Sequence, residues 1–290
     1  MLAIFGKSLP DSFLPQVDTI SALLKKSGTP FCCFKTLHDK LLTKGIEMHC
    51  QTYSSSEDLP SDTILILCLG GDGTMLETLT IVKERQIPIV GVNTGKLGFL
   101  SEIFPHEISK SIDNLLKGNY IIQPRTLIEV LSDDIYIPTY NFALNDFTLR
   151  KNDQSTLVQI SVSVDGYFLN TYWADGLIIS TATGSTAYSM SVGGPILVPE
   201  SKSLILSPIA SHNLTVRPLV IEKNSLIEIF IEGRNNLHVA TLDNRNIQVP
   251  TRTKFKVRAA DFTLDIAQLP DHHFFHTLRN KLMWGIDKRN

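Results

Sequence analysis

The chain has 290 residues, of which 43% are hydrophobic and 19% are charged, and its formal net charge is −2. This length predicts about two domains of roughly 150 residues each, large enough to bury their cores without disulfides or metals. This net charge gives no overall basic field, so nucleic acid and anionic membranes are not expected as main partners, although a single cleft could still be locally positive. No apolar stretch approaches the roughly 18 residues that span a bilayer, and the apolar start lacks the basic region of a signal peptide. We therefore expect a soluble, cytoplasmic protein.

The four cysteines, Cys32, Cys33, Cys50 and Cys68, all lie in the first quarter of the chain. No two of them form the C-x-x-C pair that is typical of zinc and redox motifs. The pattern predicts free thiols in a reducing compartment, with neither a zinc site nor a disulfide framework.

The first 120 residues alternate short apolar runs with longer amphipathic stretches. Strands are predicted at residues 2–5, 30–34, 63–69 and 87–92, and helices at 11–26, 74–85 and 105–117. The run at 63–69 is apolar on both faces, which is typical of a central strand in a parallel sheet. The alternation predicts an α/β layer built on such a sheet.

From Ile121 to about Leu269 the chain has short β-branched runs separated by turns. The run at 157–164 alternates with period two and ends at Asp165-Gly166, a hairpin signal. Similar runs at 225–232, 237–243, 253–259 and 262–268 predict an all-β sandwich. A final helix is predicted over 272–284, with Phe275, Leu278, Leu282 and Trp284 on one face. It is too short for a third domain, and with no linker between the two domains we expect them to be in close contact.

Gly70-Gly71-Asp72-Gly73-Thr74 connects the apolar strand at 63–69 to the helix at 74–85. Glycines let backbone N–H groups approach a phosphate closely, and a helix N-terminus adds partial positive charge. Asp72 would repel phosphate, so a role in metal binding or in deprotonating a hydroxyl would explain it. The same residues also fit a tight turn in which Asp72 only caps the helix. The chain has neither Walker nor G-x-G-x-x-G spacing, and these residues alone leave both interpretations open.

Two further segments contain polar groups in places that suit a ligand. Residues 93–100, Asn-Thr-Gly-Lys-Leu-Gly-Phe-Leu, follow the next strand and should therefore lie at the same edge of the sheet as Asp72. Within them Lys96 is either a phosphate contact or a solvated surface lysine. Residues 175–195 combine hydroxyls, glycines and Tyr188, which suits ribose and base binding but equally suits a Ser/Thr-rich surface loop.

Taken together and in this order, these segments resemble the NAD kinase family over most of the chain. The resemblance also includes Asn145-Asp146, Ser207 to His212, Arg217-Pro218-Leu219, Asp243, and the closing pattern from Phe275 to Trp284. It implies an α/β domain over residues 1–120 with 270–290, a β-sandwich domain over 121–269, and a final helix that returns to the first domain. It further implies a phosphotransferase that moves the γ-phosphate of ATP to the adenosine 2′-hydroxyl of NAD, with Mg²⁺ or Mn²⁺ arriving with ATP.

The resemblance implies a role for each matching residue. Asp72 is the expected catalytic residue, and Gly73 lies beside it against the substrate. Asn145 and Asp146 are expected to hold the adenine and ribose of NAD. The remaining dinucleotide contacts are expected at Thr183, Thr186, Ala187, Tyr188, Ser189, Met190 and Ser191, with Asp175 and Ala210 at the nicotinamide end. No protein ligand to a resident metal is expected.

Three positions depart from the family pattern: Trp173, Thr156, and Asn244-Arg245 after Asp243. All lie at the margins of their motifs, so they bear on cofactor preference rather than on the reaction. The resemblance also implies a homodimer or homotetramer in which Asp175 reaches the dinucleotide of a neighbouring subunit. Trp173 is then an interface residue, although it could instead fill its own sandwich core.

Two other functions remain as alternatives. A lipid kinase of the diacylglycerol or sphingosine type shares the Gly-Gly-Asp-Gly-Thr loop, but it lacks the Thr-Gly-Ser-Thr-Ala-Tyr-Ser run at 183–189. A non-catalytic NADP-binding protein would not need Asp72. The histidines His272, His273 and His276 have spacing that could hold a metal, but a solvated helix start explains them better, and Trp284 is expected in the core.

Overall fold

The computed structural model describes residues 1–95, 98–152, 157–270 and 272–284. Lys96 and Thr156, two positions considered above, lie outside this part of the chain. Two compact units are present: Met1–Pro124 together with the segment that starts at Leu264, and Arg125–Thr263.

The first unit is built on a parallel sheet, as the alternating pattern predicted. Its strands lie in the order β3-β2-β1-β4-β5, and β5 also pairs with β6 and with the last part of β18. The strands are β1 (Leu2–Phe5), β2 (Phe31–Phe34), β3 (Gln51–Tyr53), β4 (Leu65–Leu69), β5 (Ile89–Val92), β6 (Ser101–Ile103) and β18 (Lys254–Gln268). The helices of this unit are α1 (Leu14–Ser27), α2 (Lys35–Thr43), α3 (Asp72–Val82), α4 (Ile108–Leu116) and α6 (Phe274–Leu282).

Burial explains why these segments take their places. Every residue of β1, β2, β4 and β5 is buried, which fits central parallel strands with both faces covered. Helix α1 buries Val17, Ile20 and Leu24 at helical spacing and ends at Gly28, whose φ of 68° closes the last turn. The four cysteines are free, and burial raises the pKa of Cys32 to about 11 and that of Cys68 to about 12.

The second unit is an antiparallel β-sandwich, as predicted. One sheet contains β14-β13-β12-β9-β16-β17 in that order, and the other contains β11, β10, β15, the first part of β18, β7 and β8. The strands are β7 (Ile121–Leu131), β8 (Phe142–Ala143), β9 (Asp146–Lys151), β10 (Val158–Val164), β11 (Tyr167–Ala174), β12 (Gly176–Thr181), β13 (Ser203–Ile209), β14 (Leu219–Glu222), β15 (Ile227–Glu232), β16 (Leu237–Leu242) and β17 (Arg245–Pro250). One four-residue helix, α5 (Tyr188–Ser191), follows β12.

Strands with period-two patterns have one face in the core of this sandwich. Along β10, Val158, Ile160 and Val162 are buried, and Phe147 of one sheet packs against Phe255 of the other, with ring centroids 5.3 Å apart. The predicted hairpin at Asp165-Gly166 joins β10 to β11, and both residues have positive φ (51° and 80°).

Two sequence predictions about elements are wrong. Residues 253–259 and 262–268 are not separate strands, because β18 runs without a break from Lys254 to Gln268. The expected apolar face of the last helix is also different. Helix α6 buries Thr277 and Leu278, whereas Phe275 and Trp284 are more than half exposed. In the described parts of the chain, no helix is long and apolar enough to cross a membrane.

Candidate functional site

The glycine-rich loop lies at the carboxyl end of β4, where open α/β sheets bind ligands. Strand β4 ends at Leu69, Gly71 is the N-cap of α3, and Asp72 is the first residue of that helix. The Asp72 side chain does not cap α3. Its carboxylate accepts hydrogen bonds from the loop that follows β5 instead, so the helix-cap interpretation does not hold. Gly73 is exposed.

Three consecutive backbone N–H groups hold the Asp72 carboxylate. Phe99 donates to Oδ2 at 2.8 Å, and Leu100 and Ser101 donate to Oδ1 at 3.0 and 3.3 Å. This contact requires glycine at position 98, because a Cβ there would lie 1.9 Å from Oδ1. The two segments that the sequence placed at one edge of the sheet are therefore in direct contact. The carboxylate is fixed in orientation, and its side chain remains 29% exposed.

A cation that sequence reasoning missed lies beside Asp72. The Lys281 ammonium of α6 is 3.7 Å from Asp72 Oδ2 and 4.5 Å from the centroid of the Phe99 ring. Phe274, from the first turn of the same helix, packs against Phe99 with ring centroids 6.4 Å apart. Lys281 belongs to the closing pattern that forms part of the family resemblance. Membership in that pattern was the one feature of the sequence that could have indicated a role for it.

The histidines at the start of α6 are not all solvated. The His272 side chain is 14% exposed and lies 3.9 Å from the carboxylates of both Glu102 and Glu107. His273 and His276 are exposed, as the helix-start interpretation predicted. His272 therefore belongs to a contact between the start of α6 and the segment around β6.

In the second unit, the segment before β9 is held by a buried carboxylate. Asp243 accepts hydrogen bonds from the backbone N–H groups of Leu144 at 2.9 Å, Asn145 at 2.7 Å and Asp146 at 3.2 Å. Its side chain is completely buried, and burial raises its pKa. The family motif residue Asp243 thus fixes the backbone of Asn145-Asp146.

Arg245, one of the departures from the family pattern, has a structural role in the same place. Its guanidinium donates to the backbone carbonyls of Tyr140, at 2.6 Å, and Phe142, and lies 3.6 Å from the Asp243 carboxylate. Arginine's planar array of donors suits such a set of oxygens. Arg245 therefore anchors the chain that leads to Asn145.

Asp146 is a second buried carboxylate beside Asp243. It is 5% exposed, and Thr148 Oγ1 donates to its Oδ1 at 3.0 Å. Burial, and to a lesser extent the charge of Asp243, raise the pKa of Asp146 to about 7. The hydrogen bond from Thr148 opposes that shift. Asp146 can therefore change its protonation state near neutral pH.

The turn after β12 packs directly on Asn145. The Asn145 carbonyl accepts hydrogen bonds from the N–H of Thr181 and the hydroxyl of Ser180. A Cβ at Gly184 would lie 2.0 Å from that carbonyl oxygen, so only glycine fits there. The structure thus brings Asn145 and Asp146 together with the first residues of the predicted dinucleotide segment.

Side chains in the predicted dinucleotide segment differ in exposure. The Ser189 hydroxyl is fully buried and bonds to Ser207, at 2.9 Å, and Thr183 is 8% exposed. Tyr188 is 42% exposed. Four further residues of the segment are partly buried or exposed: Thr186, Ala187, Met190 and Ser191. Tyr188 is the large exposed side chain of this segment, which suits contact with a planar ring.

Asp175 and Ala210 lie at the other end of β12. Asp175 precedes the strand, its N–H donates to Ile209, and Ala210 follows β13. Since β12 has six residues, these positions are roughly 20 Å from the Asn145 cluster along the strand. The Asp175 carboxylate lies 2.6 Å from the Lys151 ammonium. Trp173 is 49% exposed, so it does not fill its own sandwich core.

Among the described residues, no group of three or more His, Cys, Asp or Glu side chains could hold a metal ion. The partly exposed Asp72 carboxylate lies beside the glycine-rich loop. One carboxylate fits a hard cation whose other ligands are phosphate oxygens and water.

Comparison with known families and proteins adds independent findings. The model for the ATP-NAD kinase N-terminal domain matches residues 22–120, and that for the ATP-NAD kinase C-terminal domain matches residues 144–269. An NAD kinase of Cytophaga hutchinsonii is 39% identical, covering 100% of both chains. An NAD kinase of Flavobacterium psychrophilum is 38% identical, covering 100% of this chain and 99% of that one.

Solved structures show the same fold. A yeast NADH kinase complexed with NADH superposes with a TM-score of 0.89 at 22% identity, covering 99% of this chain and 88% of the other. An NAD kinase from Archaeoglobus fulgidus in complex with ATP gives a TM-score of 0.75 at 23% identity, covering 97% and 98%.

Proposed function

This chain belongs to the NAD kinase family, and on that basis we propose that it transfers the γ-phosphate of ATP to the adenosine 2′-hydroxyl of NAD. The products are NADP and ADP, so the enzyme is a phosphotransferase with an alcohol group as acceptor. The observation that carries the proposal is the Asp72 carboxylate, held by three backbone N–H groups at the carboxyl end of β4 and still partly exposed.

In the proposed reaction Asp72 accepts a hydrogen bond from the 2′-hydroxyl and receives its proton as the oxygen–phosphorus bond forms. The bond between the γ-phosphorus and the bridging oxygen breaks, and ADP leaves. The fixed orientation of the Asp72 carboxylate supports this role, because proton transfer needs the base within about 3 Å of the hydroxyl oxygen. The backbone N–H groups of Gly71 and Gly73 lie at the N-terminus of α3 and would contact phosphate oxygens there, whereas the Gly70 N–H donates to the Val92 carbonyl.

For the acceptor, we propose that Asn145 and Asp146 bind the adenosine part of NAD. Tyr188 and the residues around it bind the rest of the dinucleotide. The support is that Asp243 holds the Asn145-Asp146 backbone and that the turn containing Gly184 packs on Asn145. Arg245 anchors the preceding chain through the Tyr140 carbonyl. A fixed backbone lowers the entropy that ligand binding must remove.

The divalent ion in this proposal is Mg²⁺ or Mn²⁺ and arrives with ATP. When bound, it neutralises negative charge on the phosphate oxygens. The partly exposed Asp72 carboxylate could approach this ion.

We further propose that the protein acts in the cytoplasm and as a homo-oligomer. The half-exposed Trp173 supports the second part, because tryptophan is enriched in the energetic centres of interfaces. A membrane or nucleic-acid partner is not part of the proposal.

One assay tests the central proposal. Purified protein with Mg-ATP and NAD should form NADP, measured with an NADP-specific dehydrogenase, and a chelator should abolish the activity until Mg²⁺ or Mn²⁺ is restored. Diacylglycerol and sphingosine should not be phosphorylated. Binding of NADP without any turnover would instead support a non-catalytic binding protein, and lipid phosphorylation would support a lipid kinase.

A further inference from the structure

Lys281 occupies a position that packing of α6 does not require. The helix is attached to its unit by buried Leu278 and Thr277 and by the contact between Phe274 and Phe99. The Lys281 side chain remains 31% exposed. A partly exposed ion pair contributes little to stability, so the Lys281–Asp72 pair is not needed to hold the helix.

The geometry around Asp72 places Lys281 within reach of the transferred phosphate. A hydroxyl that bonds to Asp72 has its oxygen about 3 Å from the carboxylate, and the attacked phosphorus lies about 3–3.5 Å beyond it. The Lys281 ammonium is 3.7 Å from the same carboxylate and sits over the Phe99 ring. Rotation of its flexible side chain can therefore bring it to the phosphate oxygens.

We propose that Lys281 is a further catalytic residue, which contacts the γ-phosphate of ATP during transfer. The inference rests on the proposed kinase function. Before substrates bind, Lys281 pairs with the Asp72 carboxylate. As the hydroxyl proton passes to Asp72, that carboxylate becomes neutral, and the ammonium then faces the negative phosphoryl oxygens. Lys281 thus stabilises charge that develops next to Asp72 in the transition state.

The test compares Lys281→Ala with Arg279→Ala. Both residues lie in the last turn of α6 and carry one positive charge, but Arg279 is exposed and is not a residue of the site. We expect Lys281→Ala to lower kcat/KM for ATP by about 10²-fold, as removal of a transition-state donor does. Arg279→Ala should change it by less than about two-fold, because isolated surface charges contribute little.

Further variants separate a phosphate contact from a purely structural role. Lys281→Gln keeps much of the side chain without its charge and should lose as much activity as Lys281→Ala. Lys281→Arg keeps the charge and should recover most of it. In each of the Lys281 variants, the affinity for NAD and the midpoint of thermal unfolding should match those of Arg279→Ala. Equal kcat/KM for Lys281→Ala and Arg279→Ala would overturn the proposal, as would full activity in Lys281→Gln.

Equilibrium binding of Mg-ATP distinguishes failure of this inference from failure of the kinase assignment. If the wild-type protein forms no NADP, the proposed function is wrong, and nucleotide binding alone then decides the role of Lys281. Weaker binding to Lys281→Ala than to Arg279→Ala, by about three-fold or more for a lost charge-assisted contact, would support a phosphate contact. If no NADP forms, equal binding to the two variants would overturn the phosphate contact. If NADP forms, the kcat/KM comparison decides, because a contact made in the transition state need not strengthen ground-state binding.

Discussion

Asp72 and Asp243 are held in nearly the same way in two different units. Each carboxylate accepts hydrogen bonds from three consecutive backbone N–H groups of a distant loop. Each also has one cation close by, Lys281 at 3.7 Å and Arg245 at 3.6 Å. The difference is solvent access, since the Asp72 side chain is 29% exposed and that of Asp243 is 0% exposed.

This difference in exposure separates Asp72, the proposed reacting group, from Asp243, a structural one. The exposed carboxylate can accept a further hydrogen bond from a substrate, because an ionised carboxylate has about four acceptor positions. The buried one has no access to a substrate and instead satisfies backbone N–H groups that would otherwise be unpaired. Replacing the carboxylate is therefore expected to reduce catalysis at Asp72 and stability at Asp243.

The largest expected effect is on catalysis at Asp72. We expect Asp72→Asn to lower kcat by about 10²–10⁴-fold, the usual contribution of general-base catalysis. In this variant the amide nitrogen cannot accept the hydrogen bond from the Phe99 N–H. The affinity for NAD should nevertheless change little. Steady-state kinetics and calorimetric NAD binding provide the two measurements. Retention of more than about a tenth of the activity would remove Asp72 from the catalytic role.

The second effect is on stability at Asp243. Asparagine tolerates the left-handed backbone at this position, where φ is 54°. It cannot satisfy all three N–H groups and the nearby Arg245. We expect Asp243→Asn to lower the free energy of unfolding by about 2–3 kcal/mol, the cost of an unsatisfied buried polar group. Thermal or urea unfolding measures this, with Asp72→Asn as the matched control. An equal loss in the two variants would contradict the comparison.

The third effect is a pH dependence that arises from Asp146. Its pKa is raised from 3.8 to about 7 in the folded protein. The folded state therefore binds more protons than the unfolded state between these values, and the stability present at low pH is lost as pH rises through about 7. The slope from this group is at most about 1.4 kcal/mol per pH unit. Unfolding of the wild type and of Asp146→Asn at pH 5–8 checks this, and identical slopes would show that Asp146 is ionised throughout.

The smallest and most specific effect concerns a shared site. If Asp175 of one subunit completes the dinucleotide site of another, mixing inactive Asp72→Asn and Asp175→Ala proteins should restore activity. Randomly mixed dimers would recover about a quarter of the wild-type value, because half the dimers are hybrids with one intact site. Trp173→Ala should promote dissociation on dilution. Full activity of a verified monomer would exclude sharing and leave the kinase assignment intact.

Much of the fold could be predicted from the sequence because it depends on local patterns. Apolar runs such as β4, buried on both faces, indicate parallel strands, and period-two runs such as β10 indicate sandwich strands. The position of Asp72 and the loop that includes Phe99 at one sheet edge followed from parallel topology alone. Family motifs supplied the reaction and the proposed roles of Asn145 and Asp146.

Tertiary structure alone decided which groups meet these residues. Asp243 is 98 positions from Asn145, yet it holds the Asn145 N–H. Arg245 lies at the margin of its motif, and only the fold brings it to the Tyr140 carbonyl. The face that α6 buries could not be read from its apolar spacing, because neighbouring elements selected Leu278 rather than Phe275 or Trp284. That choice also directs Lys281 towards Asp72. Spacing along a chain records which residues share a face of an element, whereas the partner that this face meets depends on contacts between residues far apart in sequence.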